Sequence, residues 1–200
     1  MKKSRDLIMF KELNNLKSKK KILKKDLIKI LQELAKTLSV HDLMLASTLL
    51  REEGKYVQTN YREKYLEIYI KYFIMRIKEI KEIKKDKSNY SEIIYNEKDF
   101  LEAIDLLEKQ PHDETIHICE EDKFPVIYTI ISLYTTFILN EPIHPLGTPF
   151  PGSLKVTYRN GTYFCPVKDK QSETPQAVCK FCIAKQTDYD PNKEKVFLNG

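Results

Sequence analysis

Tryptophan is absent from the 200-residue chain, and glycine is scarce, with five residues. The glycine-rich P-loop of nucleotide-binding proteins and the Gly-x-Gly-x-x-Gly turn of dinucleotide-binding proteins are both missing. The chain also lacks the Gly-x-Ser-x-Gly motif of serine hydrolases and the His-Glu-x-x-His motif of zinc proteases. None of these enzyme classes is therefore indicated, and the sequence assigns no catalytic residue.

The chain has no apolar run long enough to cross a bilayer. Its longest uncharged stretch covers 17 residues, 124–140, whereas a membrane-spanning helix needs roughly 20 strongly apolar residues. The four apolar residues 7–10 are too few for the core of a signal peptide. We therefore expect a cytosolic protein with no membrane partner. In a reducing cytosol, four cysteines are better explained as metal ligands or plain thiols than as two disulfides.

Charge is unevenly distributed along the chain. Residues 1–88 carry 23 Lys and Arg against 12 Asp and Glu, whereas residues 89–200 carry 11 against 17, so the halves have net charges of +11 and −6. A basic half can bind a polyanion such as nucleic acid. Docking of the two halves on each other, or simple solvation of helix faces, explains the asymmetry equally well, and we favour these structural explanations.

Apolar residues that recur at steps of three and four predict a mainly α-helical bundle over residues 1–141. Ser39 with Asp42 has the pattern of a capping box, Thr59 or Asn60 precedes the longest helix, and Asn96 precedes a helix at 97–109. A helix that starts near residue 22 is predicted to turn five polar side chains outward: Lys24, Lys25, Lys29, Gln32 and Lys36.

The longest helix carries an apolar heptad-like seam, which could form core or join two copies in a homo-oligomer. The seam consists of Leu66, Ile70, Phe73, Ile77 and Ile80. Four tyrosines broaden this face: Tyr61, Tyr65, Tyr69 and Tyr72. They could stack on nucleic-acid bases, but tyrosines at helical spacing are more often packed in a core or interface, which is the interpretation we favour.

Residues 123–140 begin with Lys123-Phe124-Pro125, which places a proline near the first helical position, and the next fourteen residues, 126–139, are apolar on all sides. Fourteen such residues without a turn signal are long for a strand. This segment is predicted to be the buried central helix of the bundle.

Residues 142–186 concentrate the residues that constrain local structure, with three of the four cysteines, six of the nine prolines and three of the five glycines. Asn160-Gly161 between two alternating segments predicts a β-hairpin whose second strand delivers Cys165. Thr174-Pro175 predicts a helix from Gln176 to Lys185. Residues 187–200 form a polar tail. We expect the hairpin and helix to form a small metal-binding module on the bundle.

Cys179 and Cys182 would share one face of the predicted helix, and the hairpin would bring Cys165 to the same point. Thiolates at Cys-x-x-Cys spacing can bind one tetrahedral ion, and both zinc and iron–sulfur clusters accept such ligands. The resulting hypotheses are a structural zinc or cluster site, or an iron–sulfur redox protein or enzyme. A chain that binds no metal remains the alternative, and a thioredoxin-like redox pair is disfavoured because no βαβ pattern surrounds it.

The fourth ligand is open. Cys119 matches chemically and would link the bundle to the module, although it could equally be a buried thiol. His144 is the alternative fourth ligand; it lies in the proline-rich loop, residues 142–152, which contains four prolines. His117 and Asp169 are weaker candidates.

Three motifs resemble a family of unknown function found mainly in methanogenic archaea: residues 144–152 (HPLGTPFPG), 165–169 (CPVKD) and 179–182 (CKFC). Residues 119–125 are similar to that family as well. The resemblance covers about residues 115–186 and supplies no activity. It implies an anaerobic archaeal cytoplasm, which raises the expectation of an iron–sulfur cluster, and it favours Cys119 as the fourth ligand. Ser153 stands where a second glycine is expected, a departure that leaves the cysteines untouched.

Overall fold

The computed structural model describes residues 4–84, 92–109, 123–174 and 177–187. Within these ranges the chain is mainly helical with a small strand region near its C-terminal end, as predicted. The α-helices are α1 (Ser4–Lys17), α2 (Lys24–Lys36), α3 (Val40–Glu53), α4 (Thr59–Lys81), α5 (Glu97–Glu108), α6 (Phe124–Leu133) and α7 (Lys168–Ser172).

Local hydrogen bonds explain where several helices begin. The hydroxyl of Ser39 accepts the amide of Asp42 at 3.2 Å, and the Ser39 amide donates to the Asp42 carboxylate at 2.6 Å, so the predicted capping box is confirmed. Asn96 caps α5 by accepting the amide of Asp99. Helix α4 begins at Thr59, because Gln58 occupies the capping position without a side-chain bond; the predicted cap at Thr59 or Asn60 is wrong.

Helix α6 lies at the centre of the bundle, as predicted. Ile127, Ile130 and Leu133 have no exposed surface, and the helix packs against α1, α2, α3, α4 and α5. It continues as a π-helical turn, Tyr134–Ile138, in which the amide of Leu139 donates to the carbonyl of Tyr134. Such a turn shifts the register of the side chains that follow it. Phe137 is thereby directed toward Phe100 of α5.

Two of the side chains predicted to face solvent on α2 are instead buried. The amide of Gln32 donates to the carbonyls of Ile80, Lys81 and Ile83, which lie at and just beyond the C-terminal end of α4. Lys24 pairs with Glu92 at 2.8 Å. The prediction for Lys24 and Gln32 is wrong because both side chains compensate backbone or charged groups of neighbouring segments.

The apolar seam of α4 faces the interior of its own chain. Leu66, Ile70, Phe73, Ile77 and Ile80 are all buried. Contacts with α2, α3 and α6 account for this burial. The seam therefore forms part of the hydrophobic core of its own chain.

In the described part of the C-terminal region there are five short strands: β1 (Pro149–Phe150), β2 (Leu154–Lys155), β3 (Thr157–Arg159), β4 (Thr162–Cys165) and β5 (Lys185–Gln186). Strands β1 and β2 pair antiparallel, as do β3 and β4, while β5 joins β4 in parallel. Asn160 and Gly161 both have positive φ, 48° and 76°, as a two-residue hairpin turn requires, which confirms the predicted hairpin.

The predicted helix from Gln176 to Lys185 is wrong. Residues Val178–Lys180 form a single 3-10 turn, and the chain then extends into β5. Val178 belongs to the main hydrophobic core, whereas Ala184 belongs to a smaller core with Val156 and Cys165. One face of a regular helix would not reach both cores.

Within the described ranges, no helix is long and apolar enough to span a membrane.

Candidate thiol site

Strand β4 delivers Cys165 to the smaller core. The Cys165 side chain is buried beside Val156 and Ala184, with Cys182 packed against the same cluster. The amide of Thr187 donates to the carbonyl of Cys165 and so continues the pairing of β4 with β5. The thiol at the end of the hairpin is therefore fixed by backbone on both sides.

A tight turn over residues 178–182, the cysteine turn, begins with the 3-10 segment and holds Cys179 and Cys182. The Cys182 amide donates to the carbonyl of Val178 at 3.2 Å, so the two cysteines lie on a single tight turn. Val178 and Phe181 anchor this turn in the main core, where Phe181 stacks on Phe137. Cys182 contacts both cores. The turn therefore forms part of the junction between the bundle and the strand region.

Lys168 connects α7 to the cysteine turn. Its ammonium group donates to the carbonyl oxygens of both Cys179 and Cys182, the latter at 2.8 Å. Helix α7 begins two residues after Pro166, so the lysine reaches the turn from beside Cys165. Lys168 thus places a positive charge among the three cysteines.

All three cysteines are free thiols, and they influence one another electrostatically. Burial raises the pKa of Cys165, and repulsion from Cys182 raises it further, while amide hydrogen bonds from Val167 and Lys168 act in the opposite direction. Burial, followed by repulsion from Cys182 and Cys165, raises the pKa of Cys179 to about 11. The thiols of Cys165 and Cys179 are therefore protonated at neutral pH unless a cation or another positive group stabilises the thiolates.

The structure describes only part of the remaining predicted ligand set. Cys119 and His117 lie outside the described residues, and Asp169 is exposed. Within the described ranges, no group of three or more His, Cys, Asp or Glu side chains is arranged to hold a metal ion. The three thiols are close enough to interact, but their side chains do not point at a common centre.

His144, the alternative fourth ligand, belongs to an aromatic cluster. Its Nε2 lies 3.2 Å from the hydroxyl of Tyr65, and its ring packs against Tyr69 and Phe150 at centroid distances of 5.3 and 5.6 Å. Burial lowers the pKa of His144 to about 4, so the imidazole is neutral at physiological pH. The cluster joins the proline-rich loop to α4.

The tyrosines of α4 do not form an open stacking surface. Tyr69 is buried, and Tyr65 packs against Tyr69, His144 and Phe150. The ring of Tyr72 lies 4.5 Å below the guanidinium of Arg76. Tyr65, Tyr69 and Tyr72 are therefore packing residues. The nucleic-acid hypothesis then depends on the positive charge of residues 1–88 alone.

The sequence did not predict the contacts that two basic residues, Lys168 and Arg76, make near the thiols and the proline-rich loop. Lys168 lies in the CPVKD motif, but its reach to the cysteine turn depends on the path of α7. Arg76 pairs with Glu79 at 2.6 Å and also with Glu141, which directly precedes the proline-rich loop. No local sequence signal connects Arg76 to a residue 65 positions away.

These features define a mainly helical protein with a small C-terminal strand region, where Cys165 and Cys182 pack against one small core and Cys179 lies near enough to interact with both. The chain belongs to the archaeal family described as "Uncharacterized protein conserved in archaea (DUF2115)", whose profile matches residues 23–187. The resemblance expected from the sequence motifs is therefore confirmed at the level of the family.

Curated relatives from methanogens match most of the chain. A UPF0305 protein of Methanothermobacter thermautotrophicus is 35% identical over 166 residues, covering 82% of this chain and 96% of the relative. UPF0305 proteins of Methanococcus maripaludis (strain C5) and Methanocaldococcus jannaschii are 31% and 28% identical, covering 78% and 82% of this chain and 91% and 96% of the respective relatives. No solved structure matches the chain.

Proposed function

We propose that the chain is a metal-binding protein whose ion is held by the thiolates of Cys165, Cys179 and Cys182. The observation that carries this proposal is the approach of three free thiols from two separate segments: Cys165 and Cys182 pack against the same small core, and both raise the pKa of Cys179. The Cys182 thiolate would raise the pKa of Cys165 and Cys179, and the Cys165 thiolate would raise that of Cys179. A cation among them would remove this repulsion, and ligand thiols release their protons when a metal binds.

Neighbouring groups support a thiolate ligand set. The amides of Val167 and Lys168 stabilise the charged form of Cys165. The ammonium of Lys168 lies at the Cys179–Cys182 turn and would offset part of the negative charge that three or four thiolates leave on a divalent ion. Coordination requires the thiols to rotate toward a common point, a change of side-chain rotamer rather than of fold.

The role that fits this position is structural. The ligand turn is anchored in the main core by Val178 and Phe181, while Cys165 lies in the smaller core. An ion bound to both segments would fasten the two cores together. Because metal binding that occurs only in the folded state adds to folding free energy, removal of the ion should destabilise the chain.

We propose Cys119 as the fourth ligand, with a four-thiolate site as the result. His144 is the less suitable candidate because its Nε2 faces the hydroxyl of Tyr65 and its ring is enclosed by aromatic side chains. Cys119→Ser and His144→Asn test this choice directly. We expect Cys119→Ser to lower metal occupancy and His144→Asn to leave it unchanged; the reverse result would replace Cys119 by His144.

The metal is either zinc or the iron of an iron–sulfur cluster, since both accept four thiolates. Metal analysis of anaerobically purified protein, together with its visible spectrum, separates them. A colourless protein with about one zinc per chain supports the structural zinc site. A brown protein that contains iron and absorbs in the visible range supports a cluster and, with it, a redox role. Neither metal in protein purified without chelators would contradict the proposal.

The proposal also places the protein in the cytosol, where thiols stay reduced and available as ligands. The three described cysteines are free thiols, which accords with this location.

A further inference from the structure

An apolar groove runs between α3 and α4, away from the thiols. Its floor includes Ile70 and Ile77, which are buried, and its walls include Val40, Met44 and Ile74, which are 74%, 65% and 40% exposed. The cavity measures about 590 Å³. Large exposed apolar side chains gathered in one place mark a binding surface more often than single scattered ones do.

The two hydroxyl groups in this groove already donate their hydrogens within the chain. Ser47 donates its hydroxyl to the carbonyl of Leu43 at 2.7 Å, and Thr48 donates to the carbonyl of Met44 at 3.1 Å. Both donors are therefore satisfied inside α3. What the centre of the groove offers is apolar surface, with methionine as an adaptable contact residue.

Positive charge lies at both ends of the groove. Arg51 lines the groove near the C-terminal end of α3, while Lys78 and Lys81 line it near the C-terminal end of α4. The two helices run antiparallel, since Lys81 donates to the carbonyl of Leu38, just before α3. Glu82 is the one acidic residue among the groove-lining residues. In the part of the chain that the structure describes, Arg51 and Lys78 form no ion pair.

We infer that this groove binds an amphipathic helix of a partner protein, with an apolar ridge along one face and acidic residues near both ends. The distance along α3 from Val40 to Arg51 is about 16 Å, or roughly three helical turns. A helix of that length would place side chains at i, i+3, i+4 and i+7 along the apolar floor. Its terminal carboxylates would then meet Arg51 at one end and Lys78 and Lys81 at the other.

The charge pattern favours this occupant over a basic or neutral one. Three cations against Glu82 would repel a basic helix and would attract an acidic one during encounter. Burial of the apolar ridge supplies the affinity, and the charges supply orientation. This inference is independent of the proposed metal site, because none of the groove-lining residues is a proposed metal ligand.

A designed probe tests the inference. It is a fluorescein-labelled, capped helical peptide of about 16 residues, with leucines at the spacing given above, glutamates at both ends, and alanine and glutamine elsewhere. One control peptide replaces the glutamates by lysines, and another carries a central proline that breaks the helix. Fluorescence anisotropy with the full chain should show binding of the acidic helix and at least about tenfold weaker binding of both controls.

Variants of the chain locate the binding site. Met44→Glu and Lys78→Glu should each weaken binding of the acidic peptide by about tenfold or more. Leu146→Glu, at a residue 58% exposed outside the groove, and Lys98→Glu on α5 should leave binding unchanged. Circular dichroism checks that every variant is folded.

Three results would overturn the inference. The first is equal binding, or no binding, of the acidic and basic peptides. The second is an effect of Leu146→Glu as large as that of Met44→Glu. The third is self-association of the chain that Met44→Glu abolishes, which would make a second copy the occupant of the groove.

Discussion

The rings of Phe137 and Phe181 stack with their centroids 6.0 Å apart and their planes inclined by 24°. Phe137 lies in the π-helical turn after α6, and Phe181 lies in the cysteine turn between Cys179 and Cys182. The cysteine turn is therefore held by the hydrophobic core of the bundle itself. Its position depends on packing before any ion is considered.

Replacement of Phe181 by alanine should destabilise the chain by about 3–5 kcal/mol, the usual cost of removing a buried phenylalanine. Urea unfolding under reducing conditions with a chelator present measures this packing effect without a metal contribution. Lys180→Ala, at an exposed residue of the same turn, is the matched control and should stay within about 0.5 kcal/mol. Equal stability of the two variants would show that the aromatic stack does not anchor the turn.

Lys168→Met should loosen the cysteine turn because two carbonyl oxygens lose their shared donor. Hydrogen bonds that involve a charged group contribute about 1.5–3 kcal/mol each at most in proteins, so we expect a loss of about 2 kcal/mol in unfolding free energy. Metal-loaded protein should also release its ion to a chelator faster. Lys170→Met, at an exposed lysine of the same helix, is the control; if both variants behave alike, Lys168 does not support the site.

The buried imidazole of His144 predicts a specific loss of stability in acid. Burial lowers its folded-state pKa to about 4 from a usual value of 6.5, so the unfolded chain takes up a proton first as the pH falls. The stability from this histidine is therefore complete above pH 6.5 and declines until about pH 4, by on the order of 3 kcal/mol. Carboxylates that titrate in the same pH range are present in both the wild type and a His144→Phe variant, so their contribution cancels when the two proteins are compared.

Unfolding free energies of the wild type and His144→Phe at pH 7 and pH 4.5 isolate this contribution. Phenylalanine preserves ring packing against Tyr69 and Phe150 but cannot be protonated. We expect the wild type to lose more stability than the variant on acidification. Parallel curves would mean that His144 titrates normally and is not enclosed as described.

Glu141→Gln tests the ion pair that fixes the beginning of the proline-rich loop. The side chain of Arg76 is 14% exposed and is held between Glu79 and Glu141. Loss of one partner from a largely buried cation should cost about 1–3 kcal/mol in unfolding free energy. Glu67→Gln, at an exposed glutamate of α4, should have almost no effect. A double-mutant cycle with Arg76→Met then measures the coupling energy.

The parts of the fold that follow from local sequence were predictable. The central segment 123–140 was recognised by its length and apolar composition, the capping box by Ser39 and Asp42, and the hairpin by Asn160-Gly161. The π-helical turn was not, because an inserted residue leaves the apolar pattern of a uniformly buried helix unchanged.

Errors arose where distant segments decide the local structure. Gln32 looked like a surface residue because its partners are carbonyls at the end of α4, about fifty positions away. The segment after Thr174 has a helix start signal. Its end, however, forms β5, which pairs in parallel with β4 and so must be extended rather than helical. For the thiol site, sequence spacing predicts that Cys165, Cys179 and Cys182 approach one another. The contact of Lys168 with the cysteine turn depends on the path of α7, which the sequence does not reveal.

X-ray absorption at the edge of the bound metal, measured on anaerobically purified protein, tests the central claim most directly, because it counts the sulfur atoms around the ion. We predict four sulfur ligands, at about 2.3 Å if the ion is zinc, and fewer in Cys165→Ser, Cys179→Ser and Cys182→Ser. A metal surrounded by nitrogen and oxygen alone, or a sulfur count that none of these substitutions changes, would contradict a metal centre built on the three thiols.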